Sequence, residues 1–126
     1  MDKIYRKNNS EFREKFSYPK RKDESERIIS KYPDRVPIIC ERRGTNIPKV
    51  DKYKYLVPRD LTIGQFLFVI RNRMKIDHSI GLYLFIGNSG TLANTAMLVS
   101  DCYINHKNED GFLYINYSGE NTFGSI

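Results

Sequence analysis

Apolar and polar positions change period several times along this chain, and each change marks an element. Tyr53, Tyr55 and Val57 alternate with Lys54 and Leu56, the two-residue period of a pleated strand. Pro58 has no N–H to give to a ladder and ends the run. Ile63, Phe66, Leu67, Val69, Ile70 and Met74 then recur at helical spacing and form one apolar face. The start of that helix is marked more than once. Thr62 with Gln65 three residues later forms a capping box, and Leu61 is placed to staple onto Phe66. The apolar face needs a sheet to cover it, so Tyr55 and Val57 are predicted to face this helix. Lys54 and Leu56 then face whatever covers the other side.

Other segments follow the same logic. Ser10 to Phe16 predicts a short helix with Phe12 and Phe16 one turn apart. Tyr18-Pro19 breaks it, and Lys20 to Lys31 reads as a second helix with Pro19 in its first turn and only Ile28 and Ile29 as strong apolar contacts. A helix this polar lies on a surface. Tyr32-Pro-Asp-Arg reads as a turn. Arg35 to Arg42 is a strand whose alternating sets, Val36, Ile38 and Cys40 against Pro37, Ile39 and Glu41, are covered on both faces. The first set is predicted to meet the central helix and the second the N-terminal helix. The loop from Arg43 to Lys52 returns the chain as a hairpin. Leu82 to Ile86 is a third strand, followed by a turn at Gly87-Asn-Ser-Gly. Thr95 to His106 reads as a last short helix. Phe112 to Tyr117 is a fourth strand with Leu113, Ile115 and Tyr117 on one side and Phe112 and Tyr114 on the other. The order ββαββ predicts an α+β ubiquitin-like β-grasp, with a four-stranded mixed sheet, a central helix and two extra N-terminal helices. The expected organisation is an N-terminal helical extension over 1–33 packed on the core, a ubiquitin-like core over 34–117 and a C-terminal tail over 118–126.

Composition narrows the function little. The 126 residues suffice for one core, and the formal charge of +6 suits an acidic peptide, a nucleic acid or an anionic membrane alike. Cys40 and Cys102 are far apart and lack CxxC spacing, which argues against a zinc site or redox pair. Cys40 alternates with core positions and Cys102 falls in an apolar helical stripe, so both read as buried small hydrophobes. His78 and His106 have no carboxylate or cysteine at telling spacing. No phosphate loop, metal cluster or catalytic triad pattern is present, so neither a cofactor nor an enzymatic activity is expected. There is no signal-peptide pattern and no apolar run long enough to span a membrane, so the expected location is cytoplasmic.

The segments Tyr32-Pro-Asp-Arg-Val-Pro-Ile-Ile and Lys54-Tyr-Leu-Val-Pro-Arg-Asp-Leu-Thr-Ile-Gly-Gln-Phe carry a resemblance. With Ile70-Arg-Asn-Arg, Asp110-Gly-Phe-Leu-Tyr-Ile-Asn-Tyr-Ser and the terminal Phe123-Gly124 in order, the chain resembles the autophagy-related protein 8 family of ubiquitin-like modifiers over residues 18–124. That family includes GABA-receptor-associated protein and microtubule-associated protein light chain 3. Its members read short aromatic-x-x-aliphatic motifs, usually with acidic flanks, in two pockets beside the second strand. The resemblance implies an aromatic pocket of Glu24, Ile28, Pro37, Ile39, Lys54, Leu56 and Phe112. It implies an aliphatic pocket of Tyr55, Val57, Pro58, Leu61, Phe66 and Val69. The strand alternation divides the same residues the same way. Lys31, Arg35, Lys52 and Arg73 join Lys54 as basic residues for acidic flanks, although a solvated charge contributes little by itself. A peptide added as a strand beside Tyr53 to Val57 is ordered on binding at a cost of about 2 to 5 kcal/mol, so affinities near micromolar or weaker are expected.

The resemblance also gives the tail a role. A cysteine protease would remove Ser125 and Ile126 after Phe123-Gly124, and ubiquitin-like activating and conjugating enzymes would join Gly124 to phosphatidylethanolamine. A side-chain-free residue suits narrow enzyme channels. Two acyl chains at ~0.8 kcal/mol per buried CH₂ hold a protein stably on a membrane. The implied partners are motif-bearing cargo receptors and autophagy factors, the protease, those enzymes and, after conjugation, the phosphatidylethanolamine membrane. The implied locations are cytoplasmic and, when lipidated, autophagosomal or vacuolar and lysosome-related membranes. A monomer in solution is expected. The chain departs from the family at Tyr18-Pro19-Lys20-Arg21, where Phe and an acidic residue are usual, at a longer turn around Asn88 to Asn94, and at Gly111, where a bulky residue is usual. Two other readings compete. An unlipidated trafficking or cytoskeletal adaptor would use the groove and leave Gly124 unused. A nucleic-acid binder needs stacking aromatics on a positive face, and most aromatics here have core or groove positions.

Overall fold

The computed structural model describes residues 10–87 and 89–120. Phe123 and Gly124, with the expected processing site, lie outside the described residues, as does Asn88 of the longer turn. Among the described residues four helices and four strands follow in the order α1 (Glu11–Lys15), α2 (Tyr18–Lys31), β1 (Arg35–Arg42), β2 (Lys54–Pro58), α3 (Ile63–Met74), β3 (Tyr83–Ile86), α4 (Val99–His106) and β4 (Leu113–Ser118). The sheet order is β2-β1-β4-β3. β1 and β4 run parallel in the middle, and each has an antiparallel neighbour outside it. The ubiquitin-like grasp with its mixed sheet and two N-terminal helices is therefore present.

The period-2 alternation sorts the sheet's side chains into two cores. Val36, Ile38, Cys40, Tyr55, Val57, Leu113, Ile115 and Tyr117 pack with Ile63, Phe66 and Ile70 of α3 and Val99, Cys102 and Tyr103 of α4. On the opposite face Ile39, Phe112 and Tyr114 pack with Phe12 of α1, joined by Phe16, Ile28 and Tyr53. Pro37 is tolerated within β1 because it lies opposite Leu56 at a position where the ladder needs no donor, and β4 pairs only from Ile38 onward.

The start of α3 carries the capping box. Thr62 Oγ1 accepts from Gln65 N at 3.1 Å, and Gln65 Oε1 accepts from Thr62 N at 2.9 Å. Two further N–H groups of the first turn find main-chain partners, since Ile63 N donates to Met97 O and Gly64 N to Thr95 O, each at 2.9 Å. This corrects the last helix predicted from Thr95. The carbonyls of Thr95 and Met97 serve α3, Leu98 bridges Thr62, and α4 begins only at Val99. Tyr53 is a second correction. Alternation groups it with Tyr55, but β2 starts at Lys54 and the Tyr53 ring lies 5.9 Å from Phe12 on the opposite face. The helix predicted from Lys20 begins earlier, at Tyr18, capped by Ser17 with Pro19 in its first turn.

Candidate functional site

β2 is an edge strand with a different core behind each of its faces. Cys40 N donates to Tyr53 O at 2.7 Å. Since bonded pairs recur every second residue, the pairs of Ile38 with Tyr55 and Val36 with Val57 also face β1. The main-chain groups of Lys54 and Leu56 therefore point away from the sheet, where an added strand would find them. The Leu56 carbonyl already accepts from the Arg35 guanidinium at 3.3 Å.

The residues expected to hold an aromatic side chain are brought together on the α2 side. Ile39 lies opposite Lys54 and Pro37 opposite Leu56. Ile39 and Phe112 are fully buried, with Ile28 packed against them. Lys54 Nζ pairs with the Glu24 carboxylate across the mouth, and the ammonium stands 5.5 Å from the centre of the Phe12 ring. The floor is thus apolar and shut off from solvent, and its rim is an ion pair at half-buried positions. An entering aromatic ring would exchange that pair for cation–π and apolar contact.

Phe12 was not among the sequence-based site residues. Its ring touches Phe16, Tyr53, Phe112 and Tyr114, with centroids 5.2 Å from Phe112 and 6.5 Å from Tyr114. The available signal was its spacing with Phe16, which predicts a helix face and not what the face covers. Glu41 orders this helix from the sheet, its carboxylate accepting from Phe12 N at 3.0 Å.

The residues expected to line an aliphatic pocket come from the α3 side of β2, the turn after it and α3 itself. Tyr55, Val57 and Phe66 are buried together, with the Tyr55 and Phe66 rings edge to face at 5.5 Å. Leu61 packs against the same core, Pro58 is half-buried and Val69 is exposed on α3. Burial raises the Tyr55 phenol well above its ordinary range, and its hydroxyl donates to Lys52 O at 2.9 Å. The basic residues expected to meet acidic flanks have internal neighbours. Lys52 Nζ lies over the Tyr55 ring, Lys31 Nζ over the Tyr32 ring, and Arg73 pairs with Asp51 at 3.7 Å. A separate cleft of about 470 Å³ opens near Phe12, Lys15, Glu41, Arg43, Lys49 and Tyr53, and none of the expected pocket residues lines it.

The tail leaves the sheet at the end of β4, where Gly119 N donates to Asn46 Oδ1 at 3.2 Å and Arg43 N to Tyr117 O at 2.9 Å. The two cysteines are buried. Burial pushes the Cys102 thiol up to about 11 and that of Cys40 further, so neither is a ready nucleophile.

Comparison with known proteins adds four findings. A family model described as "Autophagy protein Atg8 ubiquitin like" matches residues 20–124. Autophagy-related protein 8 of Schizosaccharomyces pombe is 54% identical over 118 residues, covering 93% of this chain and 96% of that protein. Among solved structures, Trypanosoma brucei ATG8 superposes with a TM-score of 0.84 at 37% identity, covering 92% of this chain and 99% of that one. Plasmodium falciparum Atg8, solved in complex with a Plasmodium falciparum Atg3 peptide, has a TM-score of 0.79 at 32% identity and covers 89% and 98%.

Proposed function

The chain belongs to the Atg8 ubiquitin-like family of autophagy proteins, and from that membership we propose that it tethers peptide-bearing partners to a membrane through a lipid joined to Gly124. The carrying observation is the edge strand β2, with outward-facing main-chain groups and a different apolar core behind each face. A peptide of the form aromatic-x-x-aliphatic places alternate side chains on the two faces of an added strand. The ring enters between α2 and β2, and the aliphatic residue sits against Tyr55, Val57, Leu61 and Phe66. Acidic flanks draw Arg35 and Lys54 from their internal partners. That Plasmodium falciparum Atg8 binds an Atg3 peptide supports a conjugating enzyme among the partners, beside cargo receptors and autophagy factors.

In this reading the tail is trimmed after Gly124 and joined to phosphatidylethanolamine, and the modified protein collects its partners on autophagosomal membrane and supports its growth. Among the described residues no helix is long and apolar enough to cross a membrane, and the anchor proposed here is the lipid. The test is intact mass after incubation in cytosol of the source cells, with Gly124→Ala as control. Removal of Ser125 and Ile126 followed by gain of the lipid's mass, both lost in the control, is the expected result. A full-length unmodified chain that still binds peptide would replace this reading with an unlipidated adaptor.

A further inference from the structure

The wall and the floor of the aromatic pocket belong to different parts of the chain, and little apolar contact joins them. Among the residues of α2 only Ser25 is fully buried, with Ile28 and Ile29 half-buried. Besides the Glu24–Lys54 pair and the bonds of Tyr18 and Lys22 to Glu109 O, α2 is tied to the start of β4 through Asp110, a carboxylate with no solvent exposure. Its Oδ1 accepts from Phe112 N at 3.0 Å. Its Oδ2 accepts from Arg21 Nε at 2.8 Å and from the Tyr114 hydroxyl at 2.5 Å. Its main-chain oxygen accepts from Ser25 Oγ at 2.5 Å. Arg21 also donates to Phe16 O at 2.6 Å and Arg13 O at 3.2 Å, which ties in the end of α1.

The placement within α2 is informative. Arg21, Ser25 and Ile28 are spaced by four and three residues, and Glu24 lies three after Arg21, so the tied residues and the pocket residues share one helical face. At the other end Asp110 holds the amide of Phe112, the pocket's floor. One buried carboxylate therefore touches both sides of the pocket. We infer that Asp110 and Arg21 are positioning residues for recognition of the aromatic anchor, setting the distance between the Glu24–Ile28 wall and the Phe112 floor. This rests on the peptide-groove reading and deepens it, for neither residue lines the pocket itself. A buried charge pair is weak evidence for stability in its own right, and fixing a particular geometry is a role it can serve.

The test uses the full-length protein and two labelled peptides with acidic flanks, one with a Trp-Val-Glu-Leu core and one with Ala in place of Trp. The ratio of their dissociation constants reads the aromatic pocket alone, because strand addition and the aliphatic contact are common to both. Arg21→Leu with Asp110→Asn removes the ion pair without leaving an unpaired charge, Asn still accepts from Phe112 N, and the Ser25 bond to the main-chain oxygen of residue 110 stays. The milder Ser25→Ala removes one hydroxyl and keeps the ion pair. The expected result is a fall in the Trp-to-Ala ratio of about tenfold in the double variant, a smaller fall in Ser25→Ala, and unchanged affinity for the Ala peptide in both. Equal weakening of the two peptides, or an unaltered ratio in folded variants, overturns the positioning role. A wild-type protein that fails to separate the two peptides overturns the groove reading and this inference with it.

Discussion

Replacing Phe12 by Ala asks whether α1 is part of the cooperative core or a separately docked piece. The side chain is 2% exposed and meets four aromatic rings. Truncating a buried Phe costs about 3 to 5 kcal/mol where the site cannot collapse. Phe112→Ala, in the same cluster but next to the paired strand β4, should pay that full amount. Phe12 sits on a five-residue helix. Its other ties include the Glu41 contact at its amide, the Lys49–Glu11 pair at 3.2 Å between exposed side chains, the Arg13 guanidinium 4.6 Å over the Tyr114 ring, and the two Arg21 bonds. Such a segment can leave the sheet, so the loss is capped at the free energy of docking α1.

The expected destabilisation of Phe12→Ala is accordingly about 1 to 3 kcal/mol, below that of Phe112→Ala. Urea unfolding of the two variants side by side measures the difference, and hydrogen exchange locates it. Amides of residues 11–16 should lose protection in Phe12→Ala while those of β1 and β4 keep theirs. Equal costs for the two variants with uniform loss of protection would refute separable docking. A cost below about 0.5 kcal/mol would refute the buried placement of the ring.

Gly111→Ala should destabilise by about 1 to 3 kcal/mol, since φ is +91° and an added Cβ would meet Ser25 Oγ at 2.2 Å; denaturant midpoints check it, and a neutral result would contradict the close approach of Ser25. Thr62→Ala should cost about 0.5 to 2 kcal/mol by opening the capping box while the Met97 and Thr95 carbonyls keep holding the first turn, so thermal melts should show a modest loss with the α3 helix intact. Alkaline pH should weaken the fold. Burial raises the Cys40 and Cys102 thiols and the Tyr55, Tyr103, Tyr114 and Tyr117 phenols. From about pH 9 upward the unfolded chain therefore sheds these protons before the folded one does. Stability is whole below the ordinary thiol value of 9.0 and the phenol value of 10.0 and falls as pH rises through them. Melting temperatures flat from pH 8 to 11 would contradict that.

What was legible in the sequence was local. The division of Tyr55 and Val57 from Lys54 and Leu56 follows from the pleat alone, and the Thr62 cap depends on residues three apart. Where the reading failed, distant chain segments decide. Thr95 to Leu98 has a helical pattern, but the Thr95 and Met97 carbonyls serve Gly64 and Ile63 some thirty residues earlier, well outside the window that local periodicity reads (about 11–18 residues). Tyr53 leaves the alternation because Phe12 offers it an aromatic neighbour. Arg21 and Asp110 lie 89 residues apart. As letters they are two unremarkable charges in a basic chain, and only the fold makes them a pair.

An exposed edge strand invites pairing with any other strand, so its protection bears on what it can bind. On β2 the outward groups belong to Lys54 and Leu56, and each has a charged guard. The Lys54 side chain is held by Glu24 over the Phe12 ring, and Arg35 covers the Leu56 carbonyl. A neutral strand that displaced both would leave Arg35 without its acceptor and disturb the Lys54 pair, with nothing returned. A strand with carboxylates beside its aromatic anchor gives the two cations new partners as it takes their places. Under the proposed groove function, the same charges that keep the edge from pairing indiscriminately would favour an acidic, aromatic-anchored peptide, and selectivity against other strands would arise from the cost of moving the guards as well as from the fit of the pockets.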